Sequence, residues 1–296
     1  MAKKPALDRN VMRLFDGYVH GQITRREFLD RAAAFTASGV SAAALLGSLT
    51  PDYALARQVD PDDKSILASY KKYASPRGAG VMRGYFVRPA AIQHKLPAVV
   101  VIHENRGLNP YIEDVTRRLA VAGFIAFAPD ALSPLGGYPG DDDAGRELQR
   151  QRDRDEMVED FSAAVAFLEN HPDCTGKVGA VGFCFGGGMV LRLAVTLPGL
   201  SAGVAFYGRH PAAAEAANIR APLMLHHAGL DERVIASWPE FEAGLKQADR
   251  DFVNHDYADV EHGFHNDTTP RYDEQAAELA WQRTVEFFTT KLGLQT

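Results

Sequence analysis

The sequence contains little cysteine, no long apolar run and no concentration of basic residues, and each absence excludes a class of protein. Two cysteines in 296 residues cannot form a disulfide framework, so the fold must rest on packing. No stretch reaches the roughly 18 consecutive apolar residues that a membrane-spanning helix needs. Acidic residues outnumber basic ones, 38 to 32, and no basic or aromatic-basic stripe is present, which argues against a nucleic-acid partner.

The N-terminal part differs in character from the rest of the chain. The pair Arg25–Arg26 precedes a small-residue, moderately apolar segment at 32–49, and residues 54–56 (ALA) have the spacing that signal peptidases prefer. This pattern resembles a twin-arginine export signal. We therefore expect residues 1–56 to be a leader, residues 57–75 to be a connecting segment, and the protein to be periplasmic or secreted. The alternative is an N-terminal helix pair that stays on a cytoplasmic protein.

Strand and helix patterns alternate through the rest of the chain. Apolar or alternating runs predict strands at 80–89, 96–104, 124–130, 177–183, 201–208, 221–229 and 251–257. Helical patterns lie at 110–123, 146–171, 188–198, 238–248 and 273–293, the second with a solvated first half, and a loop rich in Gly, Pro and Asp lies at 131–145. Because strands alternate with helices, we predict one α/β domain over residues 76–294, with a mostly parallel sheet covered on both faces.

One of the two cysteines lies between glycines immediately after a predicted strand. The segment GFCFG at 182–186 has the G-x-nucleophile-x-G spacing of the elbow in α/β-hydrolases, with the sulfur of Cys184 replacing a serine oxygen. Such a turn leaves no room for a Cβ at either glycine and places the thiol at a helix N-terminus, which favours a thiolate. A buried, inert thiol is the alternative. About 20 Å of strand separates Cys174 from Cys184, so no disulfide is expected.

A nucleophile also needs a base and a residue that orients the base, and this fold supplies them in the order nucleophile, acid, histidine. Asp231 follows the predicted strand 221–229, and His262 follows the predicted strand 251–257. Both therefore lie on loops at the carboxyl end of the sheet, where Cys184 also lies. Asp130 ends a strand too, but it precedes the cysteine in the chain.

The other histidines are weaker candidates for the catalytic base. His226 and His227 lie within a predicted strand and are expected in or near the core. His265 could pair with His262 around a metal, but no third ligand is found, so no metal is predicted. The remaining histidines are predicted to lie at the surface.

The motifs HENRGL, GFCFGG, GLDERV and EHGFHN occur in this order over residues 75–292 and together resemble the dienelactone hydrolase family. These proteins are cysteine hydrolases of the α/β-hydrolase fold. The resemblance implies that Cys184 is the nucleophile, Asp231 the orienting acid and His262 the base. It also implies that Glu104 helps regulate the charge state of the thiol.

The resemblance further implies an oxyanion hole formed by the backbone N–H groups of Asn105 and Phe185. The expected reaction is hydrolysis of a small ester or lactone through a thioester, without cofactor or metal. A broad carboxylesterase and a non-catalytic thiol sensor or binding protein remain as alternatives. A small-molecule ester or lactone is the expected partner, no stable membrane association is expected after export, and the oligomeric state is left open.

Residues that would bind a substrate carboxylate differ from the family pattern. The type enzymes use two arginines, one after the FAPD strand and one four residues after the histidine. Here the first loop has no arginine and the later position is Asn266, so dienelactone itself is not the favoured substrate. The candidate substrate-binding residues are Arg106, Tyr207 and Asn266, with Arg209 and Arg271 as further candidate cations.

Overall fold

The computed structural model describes residues 8–36 and 40–295, which divide into two compact units. The first unit comprises the residues up to Asp52 together with Thr268–Pro270. The α-helices in the described part of this unit are α1 (Arg9–Val19), α2 (Arg25–Ala32) and α3 (Ala42–Leu49). No helix among the described residues is both long and apolar enough to span a membrane. The assignment of residues 1–56 as an export leader stays a prediction.

The first unit has an apolar core of its own. Helix α2 begins at the arginine pair. Its N-cap Thr24 side chain accepts from the Glu27 backbone N–H (3.2 Å) and the Glu27 carboxylate accepts from the Thr24 backbone N–H (2.7 Å), which together form a capping box. The core side chains are Val11, Met12, Phe15, Tyr18, Val19, Phe28, Ala32, Leu46 and Leu49. The segment from Arg25 to Leu49 is therefore folded as two α-helices with a short 3-10 turn after the first, among the residues that are described.

The second unit is built on an eight-stranded sheet with the order β1-β2-β4-β3-β5-β6-β7-β8. The strands are β1 (Ile66–Ser75), β2 (Gly80–Pro89), β3 (Leu96–Ile102), β4 (Ile125–Pro129), β5 (Cys174–Phe183), β6 (Ala202–Phe206), β7 (Leu223–Ala228) and β8 (Phe252–Tyr257). The pairs β1/β2 and β2/β4 are antiparallel and all later pairs are parallel. The prediction of an α/β-hydrolase fold with a mostly parallel sheet is confirmed.

Both faces of the sheet are buried. Along β3, Val99 and Val101 pack into one apolar cluster, whereas Val100 and Ile102 pack into the other, because successive side chains point to opposite faces. The covering helices are α4 (Pro110–Val121), α5 (Asp142–Arg150), α6 (Arg154–Glu169), α7 (Phe185–Thr196), α8 (Glu232–Ile235), α9 (Trp238–Gln247) and α10 (Glu274–Leu292).

Three expectations for the elements need correction. The predicted connection 57–75 contains β1, a mostly exposed edge strand whose lysines and exposed apolar residues give no clear alternation. The loop 131–145 ends early, because Asp141 caps α5. The helix predicted at 146–171 is two helices, since Asp153 accepts hydrogen bonds from two backbone N–H groups and starts α6.

The sequence pattern predicts that the charged residues at this break are solvated, but some of them are buried. Arg152 is 7% exposed, and its guanidinium donates to Asp160, which is fully buried, at 2.7 Å. Asp160 also accepts from the Ala79 backbone N–H (2.9 Å) at the turn between β1 and β2. The Asp160 carboxylate therefore connects the residue before α6 with the turn between β1 and β2.

Candidate active site

Cys184 lies at the turn between β5 and α7. Its backbone is at φ 55° and ψ −112°, a conformation that non-glycine residues rarely adopt and that is typical of strained functional turns. A Cβ at Gly182 would come within 2.1 Å of the Gly186 carbonyl oxygen, and one at Gly186 within 2.1 Å of the Ile102 carbonyl oxygen. The predicted need for glycine at both flanking positions is confirmed.

His262 and Asp231 meet beside this turn. The His262 Nδ1 and Asp231 Oδ2 atoms are 2.5 Å apart, and both side chains are buried. The Cys184 sulfur lies within 4.8 Å of a ring nitrogen of His262. The loops after β5, β7 and β8 thus bring the three predicted residues together. The imidazole lies between the thiol and the carboxylate.

The charges of this trio depend on one another. Burial of the ring disfavours the protonated imidazole, but the negative charges of Cys184 and Asp231 outweigh burial and raise the pKa of His262 to about 10. The arrangement therefore favours the protonated imidazolium form of His262 at neutral pH. An imidazolium in this position favours the thiolate form of a neighbouring cysteine.

Glu104 lies just beyond the end of β3 and is 2% exposed. Its Oε2 accepts from the Asn266 Nδ2 at 3.1 Å and lies 3.8 Å from the Arg106 Nε. Arg106 is also buried, and its Nη1 donates to Asp142 Oδ2 at 2.7 Å. Two predicted substrate-binding residues, Arg106 and Asn266, are thus already partners of Glu104, and the Arg106 charge is matched by two carboxylates.

The loop that carries His262 is tied to the segment after β3. Three consecutive residues of this loop each bind a side chain of that segment: His265 Nδ1 with the Tyr111 hydroxyl (2.6 Å), Asn266 Nδ2 with Glu104 Oε2 (3.1 Å) and Asp267 Oδ2 with Arg118 Nη2 (2.6 Å). These bonds fix the distance between the base and the region of the predicted oxyanion hole.

Tyr207 follows β6 and borders the base. Its ring centroid is 4.9 Å from that of His262, and the side chain is 1% exposed. Burial, with the nearby Glu104 and Cys184 charges, raises the pKa of Tyr207 well above its usual range, so its hydroxyl stays protonated. Phe185 is the first residue of α7, whose leading N–H groups have no partner within the helix.

Sequence reasoning missed two features of the site. Arg233 places its Nη2 3.9 Å from Asp231 Oδ2, and its position within the GLDERV motif was the available signal. The expectation that the remaining histidines are at the surface is wrong for His103 and His210, which are 0% and 8% exposed. Both rings have hydrogen-bond partners in the interior, and burial of a neutral imidazole is tolerated when its nitrogens are satisfied.

Comparison with known proteins identifies the family of this chain. The sequence model of the dienelactone hydrolase family matches residues 82–292. The chain belongs to this family. A second model, described as YqhI-like, matches residues 2–36.

Relatives of this dienelactone hydrolase family member agree with the assignment. A putative carboxymethylenebutenolidase from Synechocystis sp. is 34% identical over 231 residues, which are 71% of this chain and 92% of that protein. A putative hydrolase fragment, YghX, from Escherichia coli K12 is 62% identical over 114 residues, 38% of this chain and 97% of that protein. A crystal structure of a putative dienelactone hydrolase from Klebsiella pneumoniae has a TM-score of 0.66 at 24% identity, and covers 75% of this chain and 99% of that chain. The protein is a carboxylic ester hydrolase with a small-molecule substrate.

Proposed function

We propose that the protein hydrolyses small uncharged esters or lactones through a thioester on Cys184. The observation that carries this proposal is the 2.5 Å contact between His262 and Asp231 beside the strained turn of Cys184. This geometry supports the roles of Cys184 as nucleophile, His262 as base and Asp231 as orienting acid, which acyl transfer requires. The alternative is a carboxylesterase that accepts a broader range of esters.

In the first half of the reaction, the Cys184 thiolate attacks the carbonyl carbon of the ester. The negative charge moves to the carbonyl oxygen, which the backbone N–H groups of Asn105 and Phe185 stabilise. When the tetrahedral intermediate collapses, the carbon–oxygen bond to the alkoxy group breaks and His262 gives its proton to that oxygen. With a lactone substrate, the new hydroxyl group stays attached to the acyl chain.

In the second half, the thioester is hydrolysed. Acylation removes the negative charge of Cys184, which is one of the two charges that raise the pKa of His262, so the imidazole that has lost its proton stays neutral. The neutral imidazole takes a proton from water, the resulting hydroxide attacks the thioester carbon, and the thiolate leaves. The carboxylic acid is released, and the imidazolium is restored.

The expected substrate class follows from the charges around Glu104. Arg106 already contacts Glu104 and Asp142, and the residue four positions after the base is the neutral Asn266. A substrate carboxylate would compete with the carboxylates of Glu104 and Asp142 for the same guanidinium. Esters and lactones without a negative charge are therefore preferred in this proposal.

The test uses a panel of one uncharged ester, one lactone and one anionic ester, assayed with the full chain. Cys184→Ala is expected to abolish turnover while the melting temperature stays close to that of the wild type. Cys174→Ala is the matched control, because this second thiol is also buried but lies at the far end of β5. Substantial hydrolysis by Cys184→Ala would overturn the nucleophile, and a preference for the anionic ester would overturn the substrate class.

A further inference from the structure

His103, a histidine with no part in the reaction above, lies between β3 and Glu104 and is fully buried. Its Nε2 accepts a hydrogen bond from the Ala131 backbone N–H at 3.1 Å, and its Nδ1 is 2.6 Å from the Glu104 carbonyl oxygen. Because Nε2 is an acceptor, the proton of the neutral ring is on Nδ1, which donates to that carbonyl. Burial lowers the pKa of His103 despite the opposing charge of Asp130, which keeps the ring neutral.

The bonded carbonyl belongs to the peptide that also carries the Asn105 N–H. A peptide unit is planar, and in the trans form its C=O and N–H point in opposite directions. The described residues contain no cis peptide bond. Holding the Glu104 oxygen therefore sets the direction of the Asn105 N–H, and a hydrogen bond to the carbonyl also strengthens that N–H as a donor.

The same ring contacts the residue that supplies the second proposed donor. The rings of His103 and Phe185 are stacked, with centroids 6.3 Å apart and planes 22° apart. Phe161 packs its ring against His103 with a centroid distance of 6.2 Å and planes 70° apart. The imidazole is thus held by two aromatic rings, by the backbone at the end of β4 and by the Glu104 carbonyl.

We propose that His103 is a positioning residue of the oxyanion hole, whose Nδ1–H orients the peptide that presents the Asn105 N–H to the developing oxyanion. This inference rests on the proposed function, because it presumes acyl transfer from an ester to Cys184. It adds to that function a residue that touches neither substrate nor thiol.

Two substitutions test the roles of the two ring nitrogens of His103 separately. The amide of asparagine can place an N–H donor near the Nδ1 position, and the amide of glutamine can place an acceptor near the Nε2 position. Removal of one whole oxyanion donor lowers kcat by about 10²- to 10³-fold, so we expect His103→Gln to lower kcat by about 10- to 100-fold, with KM nearly unchanged. His103→Asn is expected to stay within about fivefold of the wild type, because the donor is retained.

Two further readouts distinguish orientation of the oxyanion hole from general damage. Alkylation of Cys184 by iodoacetamide displaces iodide at a tetrahedral carbon and creates no oxyanion, so its rate should be unchanged in His103→Gln. Binding of a trifluoromethyl ketone, which forms a tetrahedral oxyanion on the thiol, should weaken by the same factor as kcat. Melting temperatures of both variants serve as the folding control.

The possible outcomes are distinct. Equal loss of kcat in both variants, or an alkylation rate that falls together with kcat, overturns the role of His103 and leaves the proposed function intact. Ester hydrolysis by the wild type that survives complete alkylation of Cys184 overturns the proposed function, and the inference with it. If a variant does not fold, nitrogen-15 NMR of the wild type decides, since a proton on Nε2 instead of Nδ1 of His103 contradicts the proposal.

Discussion

The protonation state of a single imidazole links the three residues at the centre of the site. His262 is buried between the Cys184 sulfur and the Asp231 carboxylate, and these two negative charges outweigh the effect of burial. Its pKa of about 10 is above the usual histidine value of about 6.5. The imidazolium is therefore present through neutral pH and is lost only as the pH rises towards 10.

The pH dependence of alkylation tests this arrangement. From about pH 7 to about pH 9, the rate of Cys184 alkylation by iodoacetamide should be nearly constant in the wild type, because the imidazolium accompanies the thiolate throughout. Asp231→Asn removes one of the charges that raise the pKa of His262. The alkylation rate at pH 7 should then fall about tenfold and rise with pH over the same range. Superimposable pH profiles of the two proteins would contradict the proposed ion pair.

Residue identity and spacing were sufficient to predict that the central trio lies together, because each member follows a predicted strand in a known chain order. His103 was missed because its role lies in two backbone contacts, and a sequence does not show which backbone group a buried ring faces. Arg106 was predicted to bind substrate, but its partners Glu104 and Asp142 are 38 residues apart, so this pairing emerges only from the fold.

At the scale of elements, the turn between β5 and α7 is defined by close backbone contacts. The parallel register pairs Ile102 with Gly182 and Phe183 with Phe206, which places Cys184 between the ends of β3 and β6. Helix α7 then starts at once and passes so close to β3 that only a hydrogen atom fits at Gly186.

Replacement of one elbow glycine should therefore destabilise the protein. In Gly186→Ala the new methyl group would lie 2.1 Å from the Ile102 carbonyl oxygen, and overpacking of this kind lowers the free energy of unfolding by about 1–3 kcal/mol. Gly199→Ala is the control, since its nearest neighbour, an oxygen of Glu169, is 4.0 Å away; we expect a change within about 0.5 kcal/mol. Urea denaturation measures both, and equal stabilities would show that the backbone adjusts at no cost.

The elements that were predicted well carry a strong apolar signal, such as the continuous apolar run of β3 and the helical apolar periodicity of α10. Strand β1 was missed because an edge strand with Lys71 and Lys72 on its surface lacks a buried face to mark it. The break between α5 and α6 was missed because the capping oxygen of Asp153 is one acidic group within a run of charges. In both cases, the element is set by hydrogen bonds that the amino-acid composition of the segment does not indicate.

At the scale of the whole molecule, the site draws on distant parts of the sequence. Glu104 and His262 are 158 positions apart, and both contribute to one cluster of buried side chains. The E. coli relative described as a hydrolase fragment aligns over only 114 residues. That alignment is too short to include both ends of the site, so it reports on the fold of a part and not on the complete catalytic arrangement.

The predicted export of the protein to the periplasm can be tested with its N-terminal segment. If residues 1–56 form a twin-arginine leader, their fusion to a folded fluorescent protein should direct it to the bacterial periplasm, because this pathway carries folded cargo. Replacing Arg25 and Arg26 together by lysine should keep the fusion in the cytoplasm, and the double substitution preserves the charge of the helix. Cell fractionation measures both. A fusion that remains cytoplasmic with the native arginines would favour the retained helix pair.

The distance between nucleophile and base along the chain also has a consequence during synthesis. His262 follows Cys184 by 78 positions, so at about 5–20 residues per second a ribosome needs about 4 to 16 s to add the base after the thiol. During that interval the nascent chain carries an ordinary cysteine with no imidazole to activate it. In the proposed mechanism the thiol therefore becomes reactive only late in translation, after the base has been added.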